Sequence, residues 1–78
     1  MARTARPYMI GRYGMGILSC LKSRDGLFIL FNAKMIGRRS STGEWAVLET
    51  GWKITTVGTN VQVQLNDSDG VVVSLHGG

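Results

Sequence analysis

Turn-forming residues recur at short intervals along this chain, and their spacing constrains the fold more than any other feature. The pair Asp25–Gly26 suits a tight hairpin turn because both residue types tolerate positive φ, and Gly37–Gly43 has the composition of a longer polar loop. Further turn sequences lie at Gly51, at Gly58–Asn60 and at Asn66–Gly70. Short segments separated by turns in this way are typical of an all-β meander, barrel or sandwich.

The segments between these turns have the composition of strands. The valines and leucine of Val61–Leu65 alternate with glutamines, which predicts one face toward a core and one toward water. The β-branched segment Val71–Leu75 follows the tight turn at Asn66–Gly70, so we expect these two segments to pair as a hairpin. Trp52–Val57 is also rich in residues that favour strands.

The most apolar stretch, Leu27–Ile36, allows two interpretations. As a strand it has one wholly apolar face and a second face that is apolar only at its start, as expected for a central strand. As a helix it has good helix formers near its end and Gly37 as a C-terminal stop. We favour the strand, because the stretch directly follows the turn at Asp25–Gly26.

Together these patterns predict an all-β fold, a small antiparallel barrel or sandwich of five to six strands. An α+β fold with one helix near residues 27–36 is the alternative. The 78 residues correspond to one domain. We assign residues 1–14 to a basic flexible arm, since Pro7 and several glycines interrupt any regular pattern there, and residues 15–78 to a single small β domain.

The chemistry available to the chain is narrow. Cys20 is the one cysteine, so no internal disulfide forms, and Cys20 with the single histidine, His76, falls short of the four ligands of a structural zinc site. We therefore predict no metal and no cofactor. No apolar run reaches the ~20 residues of a membrane span, and Arg12 breaks any apolar core of a signal peptide. These features predict a cytoplasmic protein without a membrane partner.

No set of residues predicts catalysis. Cys20 has apolar neighbours in sequence and is expected to be a buried packing group. Glu44 and Glu49 lie five residues apart and would point to opposite faces of a strand. The glycines around Gly14 lack the spacing and the strand–helix context of a phosphate-binding loop. We therefore expect a protein that is not an enzyme.

Charge is distributed unevenly along the chain. Residues 1–39 carry eight Lys or Arg and one acid, which gives +7, whereas residues 40–78 carry one Lys and four acids, which gives −3; the sum is the net charge of +4. Such asymmetry predicts a basic arm or face that binds nucleic acid or an acidic protein surface. Folding could instead bring the two halves together and mix the charges.

Basic and aromatic residues therefore form the predicted partner-binding set. Guanidinium groups bind carboxylates and phosphates in bidentate fashion, and exposed tyrosines stack on bases. The alternative for the tyrosines is that they cap the core. The predicted partner-binding residues are Arg6, Tyr8, Arg12, Tyr13, Arg38 and Arg39.

We expect the protein to act by binding a protein or nucleoprotein partner and blocking it by steric and electrostatic occlusion. Small inhibitors carried by phages and mobile elements have this profile. One alternative is a small β-barrel that binds nucleic acid through the basic N-terminal arm. Another is a structural subunit of a homo-oligomer, in which edge strands pair between copies.

Overall fold

A computed structural model describes residues 6–75, which form eight antiparallel strands in two sheets. Sheet A has the order β1-β2-β3-β4-β5, and sheet B has the order β6-β7-β8, so each sheet is a meander. The strands are β1 (Tyr8–Tyr13), β2 (Gly16–Ser23), β3 (Gly26–Phe31), β4 (Lys34–Arg39), β5 (Trp45–Val47), β6 (Trp52–Val57), β7 (Asn60–Leu65) and β8 (Val71–Ser74).

The predicted all-β class is confirmed, and the architecture is a sandwich of two sheets with a core between them. The valines at Val61 and Val63 are fully buried, as their alternation with glutamine predicted, and the hairpin of β7 and β8 forms across the turn at Asn66–Gly70. The core consists of Leu18, Cys20, Ile29, Ile36, Ile54, Val61, Val63, Val73 and Leu75.

The stretch Leu27–Ile36 contains a hairpin turn, so the alternative of a helix there is wrong. Asn32 and Ala33 have φ angles of 50° and 71°, which suit the two central residues of a tight turn between β3 and β4. The side-chain oxygen of Asn32 accepts a 3.0 Å hydrogen bond from the backbone amide of Ile17. The backbone amide of Asn32 donates a second bond of 3.0 Å to the Ile17 carbonyl. The turn is thereby attached to β2.

The number of strands is eight, where the sequence predicted five to six. One additional strand comes from the turn at Asn32, which divides the predicted central strand in two. Another is β1, which pairs with β2 although it lies in the segment predicted to be a flexible arm. Residues 1–5 of that arm, and His76, lie outside the described residues.

The two sheets are joined by tyrosine hydroxyls at their edges. Tyr8 in β1 donates a hydrogen bond to the Leu75 carbonyl at 2.6 Å, and the Tyr13 hydroxyl accepts one from the Leu65 amide at 3.1 Å. Toward the opposite side of sheet A, β4 and β6 approach closely at Gly37, because this residue has no Cβ that would overlap the Ile54 side chain.

We expect Tyr8→Phe and Tyr13→Phe each to lower the free energy of unfolding by about 1–2 kcal/mol, since each leaves a partly buried backbone group without its hydrogen bond. Urea unfolding measures the loss. Ser40→Ala is the control, because the Ser40–Thr42 hydroxyl bond of 2.6 Å is exposed. Losses no larger than that of the control would show that the two tyrosine hydroxyls do not hold the sheets together.

Candidate partner-binding surface

Strand register gathers most of the cations at one end of sheet A. Tyr8 pairs with Cys20 in an antiparallel ladder, so Arg6 lies toward the turn between β2 and β3. Leu27 pairs with Arg39, which places the end of β4 beside the same turn. We call this group the basic end, and it consists of Arg6, Lys22, Arg24, Arg38 and Arg39.

The basic end keeps most of its positive charge. The carboxylates of the β2–β3 turn and of the β4–β5 loop, Asp25 and Glu44, also lie there, so five cations and two acids give +3. Among the described residues, one ion pair has its charged atoms within 4.0 Å: Lys34 Nζ lies 3.1 Å from Glu49 Oε1, at the opposite end of the sheet. The cations of the basic end are therefore not neutralised by direct pairing within residues 6–75.

Aromatic rings position three of these cations. The Arg38 guanidinium lies 5.8 Å from the centre of the Phe28 ring, and that of Arg39 lies 5.7 Å from the Trp45 ring. Lys22 Nζ lies 5.6 Å from the Tyr8 ring. Such cation–π contacts contribute about 0.5–1 kcal/mol at exposed sites. They hold the charges in place before a partner binds, which lowers the entropic cost of binding.

A cleft of about 330 Å³ lies between the β2–β3 turn and the loop after β4. Arg38 Nη2 donates a 3.3 Å hydrogen bond to the Asp25 carbonyl across it, and the Ser23 hydroxyl accepts from the Asp25 amide at 3.1 Å. The lining therefore combines two guanidinium groups and hydroxyls, which bind oxyanions, with the acidic residue Asp25, which lowers the positive charge of the cleft. The lining residues are Arg24, Asp25, Gly26, Arg38, Ser40 and Ser41.

The structure brings together three of the six predicted site residues. Arg6, Arg38 and Arg39 belong to the basic end, whereas Arg12 pairs with Ile17 at the opposite end of sheet A. Arg38 and Arg39 also point to opposite faces of β4, because neighbouring residues of a strand alternate. Lys22 and Arg24 belong to the basic end as well, although the sequence did not single them out as site residues.

Tyr8 and Tyr13 point between the two sheets. Both are half-buried and pack against the core, and the Tyr13 ring contacts Phe31 and Trp52 at centroid distances of 6.4 and 5.7 Å. Their hydroxyls bond to the backbone of Leu75 and Leu65. This placement matches the alternative in which the tyrosines cap the core; a contribution to partner binding stays a prediction.

The two sheets have outer faces of different character. On sheet A, six of the twelve outward residues are large and apolar, whereas on sheet B two of eight are. The outer face of sheet A consists of Met9, Arg12, Ile17, Ser19, Leu21, Ser23, Gly26, Phe28, Leu30, Met35, Arg38 and Ala46. That of sheet B consists of Lys53, Thr55, Val57, Asn60, Gln62, Gln64, Val72 and Ser74.

The apolar outer face was predicted from the sequence on one strand only. Phe28 and Leu30 give β3 its apolar second face; Leu30 is buried, as predicted, whereas Phe28 is half-buried. Ile17 and Leu21 continue this face on β2, where they alternate with inward residues such as Leu18. Neighbouring strands that are apolar on both faces indicate either a third layer or an exposed apolar surface.

Cys20 lies in the core with no exposed surface. Burial raises the pKa of its thiol above the ordinary value of 9.0, although a side-chain hydrogen bond with Tyr8 and the charges of Lys22 and Arg39 act in the opposite direction. The thiol is therefore protonated at neutral pH and is a poor nucleophile. Within residues 6–75, no three His, Cys, Asp or Glu side chains lie close enough together to hold a metal ion.

No family model matches the chain, and no curated protein or solved structure is significantly similar to it. In the described range 6–75, no helix is long and apolar enough to cross a membrane. We therefore argue function from the charge and shape of the surface.

Proposed function

We propose that this protein is a non-enzymatic binding protein that attaches to an acidic surface of a protein partner and blocks it sterically. The basic end is the observation that carries the proposal, because five cations lie together there with a local charge of +3. A concentrated field of this sign accelerates encounter with an acidic surface and fixes the orientation of binding. The one cysteine thiol is buried and protonated, so it does not act as a nucleophile.

Two features favour a protein partner over single-stranded nucleic acid. Binding of unpaired bases relies on exposed aromatic rings as stacking platforms. Tyr8 and Tyr13 are instead engaged between the sheets, and the rings of Phe28 and Trp45 are half-buried beneath Arg38 and Arg39. The apolar outer face of sheet A, which shares Arg38 with the basic end, also suits a protein surface better than a phosphate backbone.

Nucleic-acid binding is the second candidate, and the cleft beside Arg24 and Arg38 is the observation that favours it. Two guanidinium groups with the hydroxyls of Ser40 and Ser41 are suited to a phosphate group. In this case the β2–β3 turn would contact the backbone of a nucleic acid, without reading its bases.

A cytoplasmic location forms part of the proposal, since a single reduced thiol in the core suits a reducing compartment.

Fluorescence anisotropy distinguishes the two candidates. We expect labelled polyglutamate to bind with an affinity that falls as salt rises, while duplex DNA, single-stranded DNA and RNA do not bind at about 150 mM salt. Polylysine is the control and should not bind. Nucleic-acid binding that persists at this salt concentration, with a steep linear dependence of log K on log salt, would replace the proposal with the second candidate.

A further inference from the structure

We infer that the outer face of sheet A docks onto an apolar patch bordered by carboxylates on a partner protein. The inference rests on the proposed function and names the surface through which a protein, and not a nucleic acid, is held. Two cross-strand rows form this surface. Met9, Ser19, Leu30 and Met35 lie side by side across β1 to β4.

The second row crosses the sheet closer to the basic end. Leu21 pairs with Phe28, Phe28 with Arg38, and Arg38 with Ala46, so a cation lies beside the two large apolar residues of this row. Arg12 lies at the other end of the face, beside Ile17. The apolar side chains therefore lie between two arginines, and no carboxylate is among the twelve residues of the face.

Of the six apolar side chains of this face, three are exposed, two are half-buried and one is buried. Met9 has 61% of its surface exposed, Ile17 45% and Met35 40%, while Leu30 at 6% fills the space between its neighbours. The face spans four strand spacings of about 4.8 Å and about six residues of about 3.3 Å, roughly 400 Å² in projection. The apolar part of this area is smaller, because the face also includes two arginines, Ser19 and Ala46. The largest apolar patch on a monomeric protein is often functional.

The face together with the basic end matches the size of a specific interface. Specific protein–protein interfaces bury about 800 Å² on each partner, roughly twice the projected area of the outer face alone. The basic end adjoins the face through Arg38, and its side chains supply a charged rim. An apolar centre with a polar rim is the usual arrangement of protein–protein interfaces.

Charge identifies the occupant as a different, acidic protein. In a two-fold symmetric contact between copies the same face meets itself, which would bring Arg12 and Arg38 of one copy against a face that also carries two cations and no acid. A partner with carboxylates around an apolar patch pairs with both arginines. The flexible thioethers of Met9 and Met35 adapt to the shape of such a patch.

The test is a selection from a random peptide library displayed on particles, with the native full-length protein immobilised. We expect the enriched peptides to combine acidic with large apolar residues. Their affinities are then measured by anisotropy for the native protein and for Met9→Thr/Ile17→Thr/Met35→Thr. We expect the triple variant to bind at least about tenfold more weakly, with an unchanged circular dichroism spectrum.

The matched control is Val57→Thr/Val72→Thr, which removes apolar groups of similar exposure, 44% and 49%, from the outer face of sheet B. We expect its affinities to change less than about twofold. Acidic peptides without apolar residues, bound equally by the triple variant, would overturn the inference and leave the proposed function standing. Enriched peptides without acids would contradict both.

Other occupants give different results. Sedimentation at high concentration would reveal a dimer that the triple variant loses, and such a dimer would assign the face to a second copy. Binding to vesicles of anionic phosphatidylglycerol that is lost in the triple variant would assign it to a lipid surface. Either result, or a selection that enriches no peptide, would overturn the inference.

Discussion

Replacement of Gly26 by alanine is expected to unfold most of the protein at 25 °C. Gly26 has a φ of 128°, a conformation that L-residues rarely adopt, and a Cβ there would overlap the Arg39 carbonyl oxygen. That carbonyl belongs to the backbone of β4 and cannot rotate away. Backbone strain and steric overlap each lower the free energy of unfolding by about 1–3 kcal/mol. The hydrophobic core of a domain this small provides a free energy of unfolding of only about 3–5 kcal/mol.

Gly58→Ala is the matched control for this substitution. Gly58 has a φ of 62°, but no heavy atom of a residue other than its two chain neighbours lies within 4 Å of the position of its Cβ. We expect Gly58→Ala to lower the free energy of unfolding by about 1 kcal/mol, because the left-handed backbone conformation is then its only unfavourable effect. Urea unfolding followed by far-UV circular dichroism compares the two variants. Equal losses would show that the contact between Gly26 and Arg39 does not constrain the β2–β3 turn.

Reversal of two charges at the basic end is expected to cause the largest loss of binding. Arg24→Glu/Arg38→Glu changes the local charge from +3 to −1, so attraction to an acidic partner becomes repulsion. We expect the affinity for polyglutamate, measured by anisotropy, to fall at least about 30-fold. Both side chains are exposed, so the fold should be retained.

Lys34→Glu/Lys53→Glu is the control for total charge. This variant changes the net charge by the same four units, but at two positions outside the basic end. One of them, Lys34, already pairs with Glu49. We expect this variant to lose less than about fivefold in affinity at 150 mM salt, because distant exposed charges are screened. If both double variants lose the same affinity, binding depends on net charge and not on the basic end.

The fold was largely predictable where patterns and turn residues agree. Alternation over Val61–Leu65 and the turn after it predicted the β7–β8 hairpin, and Asp25–Gly26 predicted the β2–β3 hairpin. The turn at Asn32 and Ala33 was not predictable, because alanine rarely adopts a φ of 71°. Its geometry depends on hydrogen bonds to Ile17, a residue fifteen positions earlier.

The site was less predictable because strand register decides which cations meet. A bulge between Met9 and Gly11 shifts the pairing of β1 with β2. A shift of one residue exchanges inward and outward side chains, so the sequence alone does not place Arg12 outward with Tyr13 inward. Arg38 and Arg39 were assigned to the loop Gly37–Gly43, whereas they are the last residues of β4, and their approach to Arg6 depends on antiparallel pairing of β1 through β4.

Amide chemical shifts of the ¹⁵N-labelled protein, followed while polyglutamate is added, test the central claim most directly. We predict that the largest changes lie in the β2–β3 turn, in the end of β4 and at Arg6, and that they saturate together with one dissociation constant. Changes centred on Lys34, Lys53 and the turn between β7 and β8, or spread evenly over the surface, would contradict the assignment of partner binding to the basic end.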